Sequence, residues 1–170
     1  MRVTVRSAGV DEAHAVLSIM QVAFEEYRGR LDPPSGALSE TIDDVRAAIS
    51  GGGAFLAFSS DIAVGSARFR LSPGYVYAGR VAVLPPYRGK GVAGALMAAI
   101  EASARAHGVA EVRVGVRGSL PANRRLYEKL GYRVLSSRPY ETGTDVDITL
   151  SKELESSGRV DPGLPRTTSW

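Results

Sequence analysis

The chain predicts one mixed α/β domain, on three observations. Short apolar runs with period-two alternation come first and then alternate with stretches of helical period, the order expected when strands and helices share one sheet. Clusters of Gly, Pro, Ser and Asp separate these runs as tight connections do. A length of 170 residues, 44% hydrophobic and 23% charged, suffices for one ordinary core.

Each element has its own local reason. Residues 2–7 alternate as a first strand. Asp11 is placed to cap a helix whose apolar residues Val16, Met20, Ala23, Phe24 and Tyr27 recur at helical spacing. Its far end carries Glu25, Glu26, Arg28 and Arg30, and residues 31–36 are a loop by composition. Thr41 with Asp44 three positions on forms a capping-box pattern, so a short helix should run to about Ser50, where three glycines end it. Residues 54–59 and 63–71 read as strands joined at Ser60-Asp61. Ser72-Pro73-Gly74 turns the chain into a strand from about Tyr75 to Val83. A long helix is expected from Gly89 to about His107, with Val92, Leu96, Ile100 and Ala104 on one face and Gly108 as its stop. A strand over 111–116 follows. Pro121 then opens a helix in which Leu126 and Leu130 are expected to face inward. Residues 132–136 and 145–150 read as a last strand pair. The domain should occupy 1–154; the tail 155–170, rich in Ser, Gly, Pro and Thr, is expected to be disordered.

Composition narrows the function. The chain has 21 basic and 18 acidic residues, a net charge of +3, and no basic block with interleaved aromatics, so no nucleic-acid partner is expected. The absence of cysteine excludes disulfides, thiolate metal sites and a cysteine acyl-enzyme. His14 and His107 have no ligand-like partner at metal spacing, and Ser18 and Ser103 have no base at a recognisable spacing, so neither a metal site nor a nucleophilic serine is indicated. The N-terminus lacks a signal-peptide core, and the apolar stretch 91–100 is too short to span a membrane; a cytoplasmic protein without a membrane partner is expected. The pattern leaves oligomeric state open, with exposed strand edges and the last strand pair offering a route to a homodimer.

The most informative stretch is Val81 to Gly94. A β-branched run stops at Pro85-Pro86, and the basic turn Tyr87-Arg88-Gly89-Lys90-Gly91 opens directly into an amphipathic helix. Glycines admit a close ligand, the free N–H groups of a helix start point outward, and the helix dipole favours an anion there. Arg88 and Lys90 add positive charge. Gly89 to Gly94 also satisfies the dinucleotide pattern G-x-G-x-x-G. That reading is disfavoured: five residues separate strand from first glycine, and Glu111 begins the next strand instead of ending it.

Arg88-Gly89-Lys90-Gly91-Val92-Ala93 resembles the pyrophosphate loop of the GCN5-related N-acetyltransferases, R/Q-x-x-G-x-G/A. About thirty residues on, Asn123, Tyr127 and Leu130-Gly131-Tyr132 resemble the family's second signature. The resemblance spans roughly residues 1–150. It implies a GNAT-like mixed sheet flanked by helices and splayed open at its centre between strands 75–83 and 111–116. Acetyl-CoA, the acetyl donor, would lie in the splay. Val81, Ala82 and Val83 would meet its pantetheine arm and residues 88–93 its pyrophosphate, with Asn123 near the pantetheine and Tyr127 near the thioester sulfur.

The implied activity is direct transfer of an acetyl group to a primary amine in a ternary complex. Tyr127 would act as general acid to the departing thiolate. Many relatives place a carboxylate base in the strand before the glycine loop, and here that strand, 75–83, has none. Water, Glu26, or the phenols of Tyr77 or Tyr75 remain for that role. The acceptor groove would be lined by Phe24, Tyr27 and Tyr77, with Tyr140 and the acids Glu25, Glu26, Asp32, Glu141 and Asp145 beside them. That composition suits a small cationic amine. Acetylation of a peptide N-terminus or a protein lysine, or a non-catalytic acyl-CoA-binding regulatory module, is the alternative.

Overall fold

The computed structural model describes residues 1–155; the remainder of the tail expected to be disordered lies outside the described residues. Seven strands form one sheet: β1 (Val3–Ala8), β2 (Gly53–Ser59), β3 (Ile62–Ser72), β4 (Tyr75–Val83), β5 (Glu111–Arg117), β6 (Arg133–Pro139) and β7 (Val146–Glu153). Their spatial order is β1-β2-β3-β4-β5-β7-β6. All neighbours pair antiparallel except β4 and β5, which run parallel. Four helices cover the faces: α1 (Ala13–Phe24), α2 (Ile42–Gly51), α3 (Val92–Ala106) and α4 (Pro121–Lys129).

Alternation sorts side chains to two faces. Val76 and Ala78 of β4, Val112, Val114 and Val116 of β5, and Ile148 and Leu150 of β7 join Val92, Leu96, Met97, Ile100 and Ala104 of α3 in one core. The other face carries α1 and α2, with Val16, Ile19, Met20, Val45 and Ile49 packed on Leu56 and Ala82. The switch of Ala82 to this second core has a cause. Ser66 pairs with Ala82 but Arg68 with Gly79, so β4 carries one extra residue, a bulge. Arg80 within it has φ 51°, a conformation non-glycine residues rarely adopt. One inserted residue reverses the alternation, so Val81 and Val83 now pack toward the α3 core.

Local signals held well at some boundaries and shifted at others. The Thr41 capping box forms: the Asp44 N–H donates to Thr41 Oγ1 at 3.2 Å and the Thr41 N–H to Asp44 Oδ2 at 2.8 Å. Asp11 caps nothing. Residues Val10–Glu12 form a 3-10 turn, and α1 starts at Ala13 without a side-chain cap. The long helix begins at Val92, not Gly89, because Gly89 and Gly91 adopt left-handed φ values of 72° and 84° and keep the loop out of the helix. Leu126 is exposed, correcting the expected inward face of α4; Tyr127 is the buried residue there. Tyr132 stands edge-on to Tyr127 at 6.0 Å between ring centroids. Its hydroxyl donates to the buried Glu101 carboxylate at 2.9 Å, which also receives Lys152 Nζ at 3.0 Å. This network ties the end of α4 to α3 and β7.

The start of α3 sits close to β3 because Gly65 has no side chain. A Cβ there would lie 2.8 Å from Val92 Cγ1, 3.1 Å from the Ala82 carbonyl oxygen and 3.2 Å from Leu96 Cδ1. Gly65→Val is therefore expected to cost about 1–3 kcal/mol through overpacking. At about 2–4 °C per kcal/mol for a domain of this size, thermal denaturation should show a fall of about 2–12 °C. An unchanged Tm would mean that α3 approaches the sheet less closely than described.

Candidate active site

A parallel strand pair normally continues its ladder along the overlap. Here β4 and β5 pair only at Val76–Val112, Tyr77–Arg113 and Ala78–Val114. Beyond these the strands separate, just where the β4 bulge begins. The edge of β4 from Gly79 to Val83 thus has no ladder partner on its β5 side, and a cleft opens between the strands. Tyr77 bridges its floor. A Cβ on Gly115 would lie 2.5 Å from the Tyr77 hydroxyl, so only glycine lets the ring cross β5 at that point.

One end of the cleft meets the glycine loop. Among the described residues, the amides of residues 89–94 donate no hydrogen bond, and the first helical bond runs from the Ala95 N–H to the Gly91 carbonyl at 3.0 Å. No side chain caps α3. A Cβ built on Gly89 or Gly91 would meet no atom within 4 Å, so the space over these amides is open. Consecutive free N–H groups at the positive end of a 15-residue helix make a built anion cradle.

The sequence expectation for Arg88 needs correction at the level of its charge. Its guanidinium turns back toward the end of α1, donating to the Ala23 carbonyl at 2.9 Å and the Val83 carbonyl at 3.2 Å and pairing with Glu26 at 2.7 Å. Arg88 thereby fixes the loop to α1, and its own N–H is donated to the Pro85 carbonyl at 3.3 Å. The same contact places the Glu26 carboxylate beside the loop, away from the residues lining the cavity described next. Lys90 is exposed, 5.9 Å above the Tyr87 ring. Val92 is buried, and Gly94 approaches Leu130 of α4, with 3.4 Å between that side chain and a built Cβ. These two positions serve helix packing.

The other end of the cleft widens into a cavity of about 780 Å3. Phe24, Tyr27, Tyr77, Val81, Asn123, Tyr127 and Tyr140 all line it, so elements far apart in sequence converge there. Asn123 lies inside the first turn of α4, and its side chain caps no helix. Tyr127 is the deepest of the phenols. Burial, reinforced by the nearby Tyr27 and Tyr77 phenols, pushes its pKa well above the ordinary tyrosine range, so it stays protonated at neutral pH. Burial and then the Asp147 carboxylate push Tyr77 in the same direction.

The charged lining departs from expectation. None of Glu25, Glu26, Asp32, Glu141 and Asp145 lines the cavity. Glu25 pairs outward with Arg28 at 2.7 Å. Asp145 accepts from Ser119 Oγ at 2.5 Å and from the Ser119 and Val146 amides at 3.0 and 2.8 Å, which fixes the loop leading into α4. The lining instead holds Arg68, Arg70, Arg80, Arg117, Glu40 and Asp147. Arg117 anchors the 31–36 loop through the Pro33 and Pro34 carbonyls at 2.5 and 3.3 Å. Glu40 Oε1 receives Arg68 at 2.8 Å and Arg80 at 3.0 Å. Its Oε2 is buried without a partner among the described residues.

Asp147 is the residue sequence reading missed. The alternation of β7 was the available signal: Ile148 and Leu150 enter the core, so Asp147 belongs to the opposite face, beside Arg117 in register. Its nearness to Tyr77 follows only from the strand order, which places β7 next to β5 instead of at an edge. Among the described residues no group of acidic or histidine side chains is arranged to hold a metal ion, and no helix is long and apolar enough to cross a membrane.

Comparison with known proteins agrees with this geometry. A model described as the acetyltransferase (GNAT) family matches residues 15–132. A PaiA N-acetyltransferase from Thermoplasma acidophilum, solved in complex with coenzyme A, superposes with a TM-score of 0.75 at 16% identity, covering 90% of this chain and 99% of that one. The putative acetyltransferase yncA from Salmonella typhimurium, solved with acetyl-CoA, gives 0.72 at 19% identity over 95% and 99%. The ribosomal-protein-S18-alanine N-acetyltransferase from Escherichia coli gives 0.69 at 20% identity over 94% and 98%. No curated protein matches the chain.

The Glu40 cluster makes a pH prediction. Burial raises the Glu40 pKa, but Arg68 and then Arg80 more than offset this and hold it below the ordinary carboxylate value. A depressed folded pKa stabilises above the unfolded value, near 4.3, and that stabilisation is lost as pH falls through the folded pKa. Glu40→Gln should thus lower stability at pH 7 by up to about 3 kcal/mol. The gap between variant and parent in thermal denaturation should narrow as pH drops below about 4. A gap that stays constant with pH would mean that Glu40 is not held ionised by its arginines.

Proposed function

The chain belongs to the acetyltransferase (GNAT) family, and from that premise we propose that it transfers the acetyl group of acetyl-CoA to a primary amine by direct attack. The observation that carries this reading is the unpaired β4 edge leading from the free amides of residues 89–94 into a phenol-lined cavity. Acetyl-CoA, as donor substrate, supplies a thioester whose aminolysis yields an amide and a free thiol.

The residues suit that chemistry in distinct ways. Main-chain amides of 89–93 hold a pyrophosphate by charge-assisted hydrogen bonds. The edge of residues 81–83, without a ladder partner on its β5 side though its Val83 carbonyl accepts from Arg88, accepts an extended amide-bearing arm as a sheet accepts a strand, and Asn123 lines the adjoining cavity. A β4 main-chain N–H past the bulge serves the oxyanion. Tyr127, like any phenol, carries its proton at neutral pH, and burial raises its pKa further; its role is to hydrogen-bond the departing sulfur and give up that proton as negative charge develops there. Tyr77, likewise raised, positions by donating a hydrogen bond and does not serve as the base.

Asp147 takes the proton that the amine must lose. It lines the cavity, lies near Tyr77 and forms no ion pair among the described residues. The other carboxylate of the lining, Glu40, is held ionised by two arginines, which makes it a poor proton acceptor.

Incubation with acetyl-CoA and a mixed set of primary amines should release thiol and yield a product heavier by one acetyl group. Absence of product with every amine would overturn the reading. With a competent amine, Tyr127→Phe should lower kcat at least about tenfold and leave the KM for acetyl-CoA nearly unchanged. Asp147→Asn should lower kcat/KM about 10²–10⁴-fold near neutrality. That deficit should shrink as pH rises and the acceptor becomes neutral unaided. A deficit independent of pH would remove Asp147 from the proton path.

A further inference from the structure

The cationic residues of the cavity call for an account that acetyl transfer alone does not supply. Arg68, Arg70, Arg80 and Asp147 lie on one face of the sheet, around Tyr77. Arg70 is directly opposite Tyr77 in register, with its guanidinium carbon 4.4 Å from the ring centroid. Among the described residues Arg70 makes no ion pair or side-chain hydrogen bond. Arg80 is held only through Nε, by Glu40 at 3.0 Å, which leaves both terminal nitrogens of its fork unpartnered. Glu40 is matched against two arginines, so that cluster keeps one net positive charge. Asp147 stands in the same cavity without pairing to Arg70 or Arg80.

Opposite charges that share a cavity and leave each other unpaired are complementary to a ligand with both charges. A guanidinium stacked on an aromatic ring presents its donor edge in a fixed plane, the geometry that grips a carboxylate with two parallel hydrogen bonds. Asp147 meets the ammonium end and draws its proton. A polycationic amine would instead be brought against the unpaired Arg70 guanidinium and the net positive Arg68–Arg80–Glu40 cluster, and repelled.

We infer that the acceptor is a small zwitterionic amine, an amino acid with its carboxylate within a few atoms of the nucleophilic nitrogen, bound by Arg70 and Arg80 at the carboxylate and by Asp147 at the amine. This rests on the acetyltransferase reading above and names its substrate class. The bond formed is between the amine nitrogen and the acetyl carbon; the bond broken is the thioester C–S bond. The ammonium gives its first proton through Asp147 to solvent; the attacking nitrogen loses its second as the amide forms, and that proton restores the one Tyr127 gives to sulfur, so one proton is released per turnover.

The test compares each α-amino acid with its own carboxamide and with the amine that lacks the carboxylate, and includes spermidine as polycation. In a second arm, N-acetylglycine and other N-acetyl amino acids are titrated calorimetrically into the CoA-bound protein. Carboxylate-bearing amines are expected to exceed their carboxamides at least about tenfold in kcat/KM. Arg70→Gln should reduce that preference toward unity by raising the acceptor KM, with the KM for acetyl-CoA unchanged. Arg70→Lys should restore only part of it, because an ammonium lacks the fork. Rapid acetylation of carboxamides or spermidine, with amino acids no better, would overturn the inference and leave acetyl transfer standing. No acetylation of any amine, with Arg70-dependent binding of N-acetyl amino acids, would uphold the carboxylate site and overturn the transferase reading. Neither turnover nor binding would overturn both.

Discussion

The parallel pairing of β4 with β5 stops after three residues, and most of what this molecule offers a ligand depends on that stop. A continued ladder would satisfy the β4 backbone and close the sheet. The bulge at Arg80 turns the strand as pairing ends and reverses its side-chain alternation. Ala82 can then pack under α1 while Val81 and Val83 face the α3 core. Tyr77, still within the paired stretch, crosses over Gly115 with its hydroxyl and lines the cavity. The unusual Arg80 backbone conformation fits a strained position held by its surroundings. Its side chain is fastened to Glu40, and Glu40 also to Arg68.

What was legible in the sequence is what is decided locally. The glycine loop, the capping box and the alternation of the central strands each follow from residues within a few positions. The structure contains the loop, the capping box and Tyr75–Val83 as one strand, with the alternation of that strand reversed at its bulge. Two of the errors have a different cause. Leu126 and Tyr127 are adjacent on a short amphipathic helix, and a one-position rotation decides which is buried. Hydropathy favours Leu126, but the Tyr132 ring and the cavity wall select Tyr127. Arg88 was legible as a loop charge, but its direction depends on the carbonyl end of α1, sixty-five positions earlier in the chain.

The acceptor end was the least legible part. Counting acids near the groove predicted a negative lining, but charge in a fold is disposed of by pairing. Glu25, Glu26 and Asp145 each find a nearby partner and leave the cavity to arginines contributed by β3 and β4. Those arginines become neighbours of Asp147 only through the strand order, with β7 inserted between β5 and β6. No sequence window contains that information. The glycine loop and β4 are continuous in sequence and so are legible as local structure, whereas the charged lining of the cavity is assembled from separate strands and is not.

The central claim is that backbone groups left free by the splay hold the donor. It is tested most directly by residue-resolved amide hydrogen exchange with and without CoA. Exchange should slow at the amides of residues 89–93 and along the β4 edge at 81–83, with little change in α2 or β1. Protection confined to other elements, or none on addition of CoA at saturating concentration, would contradict it.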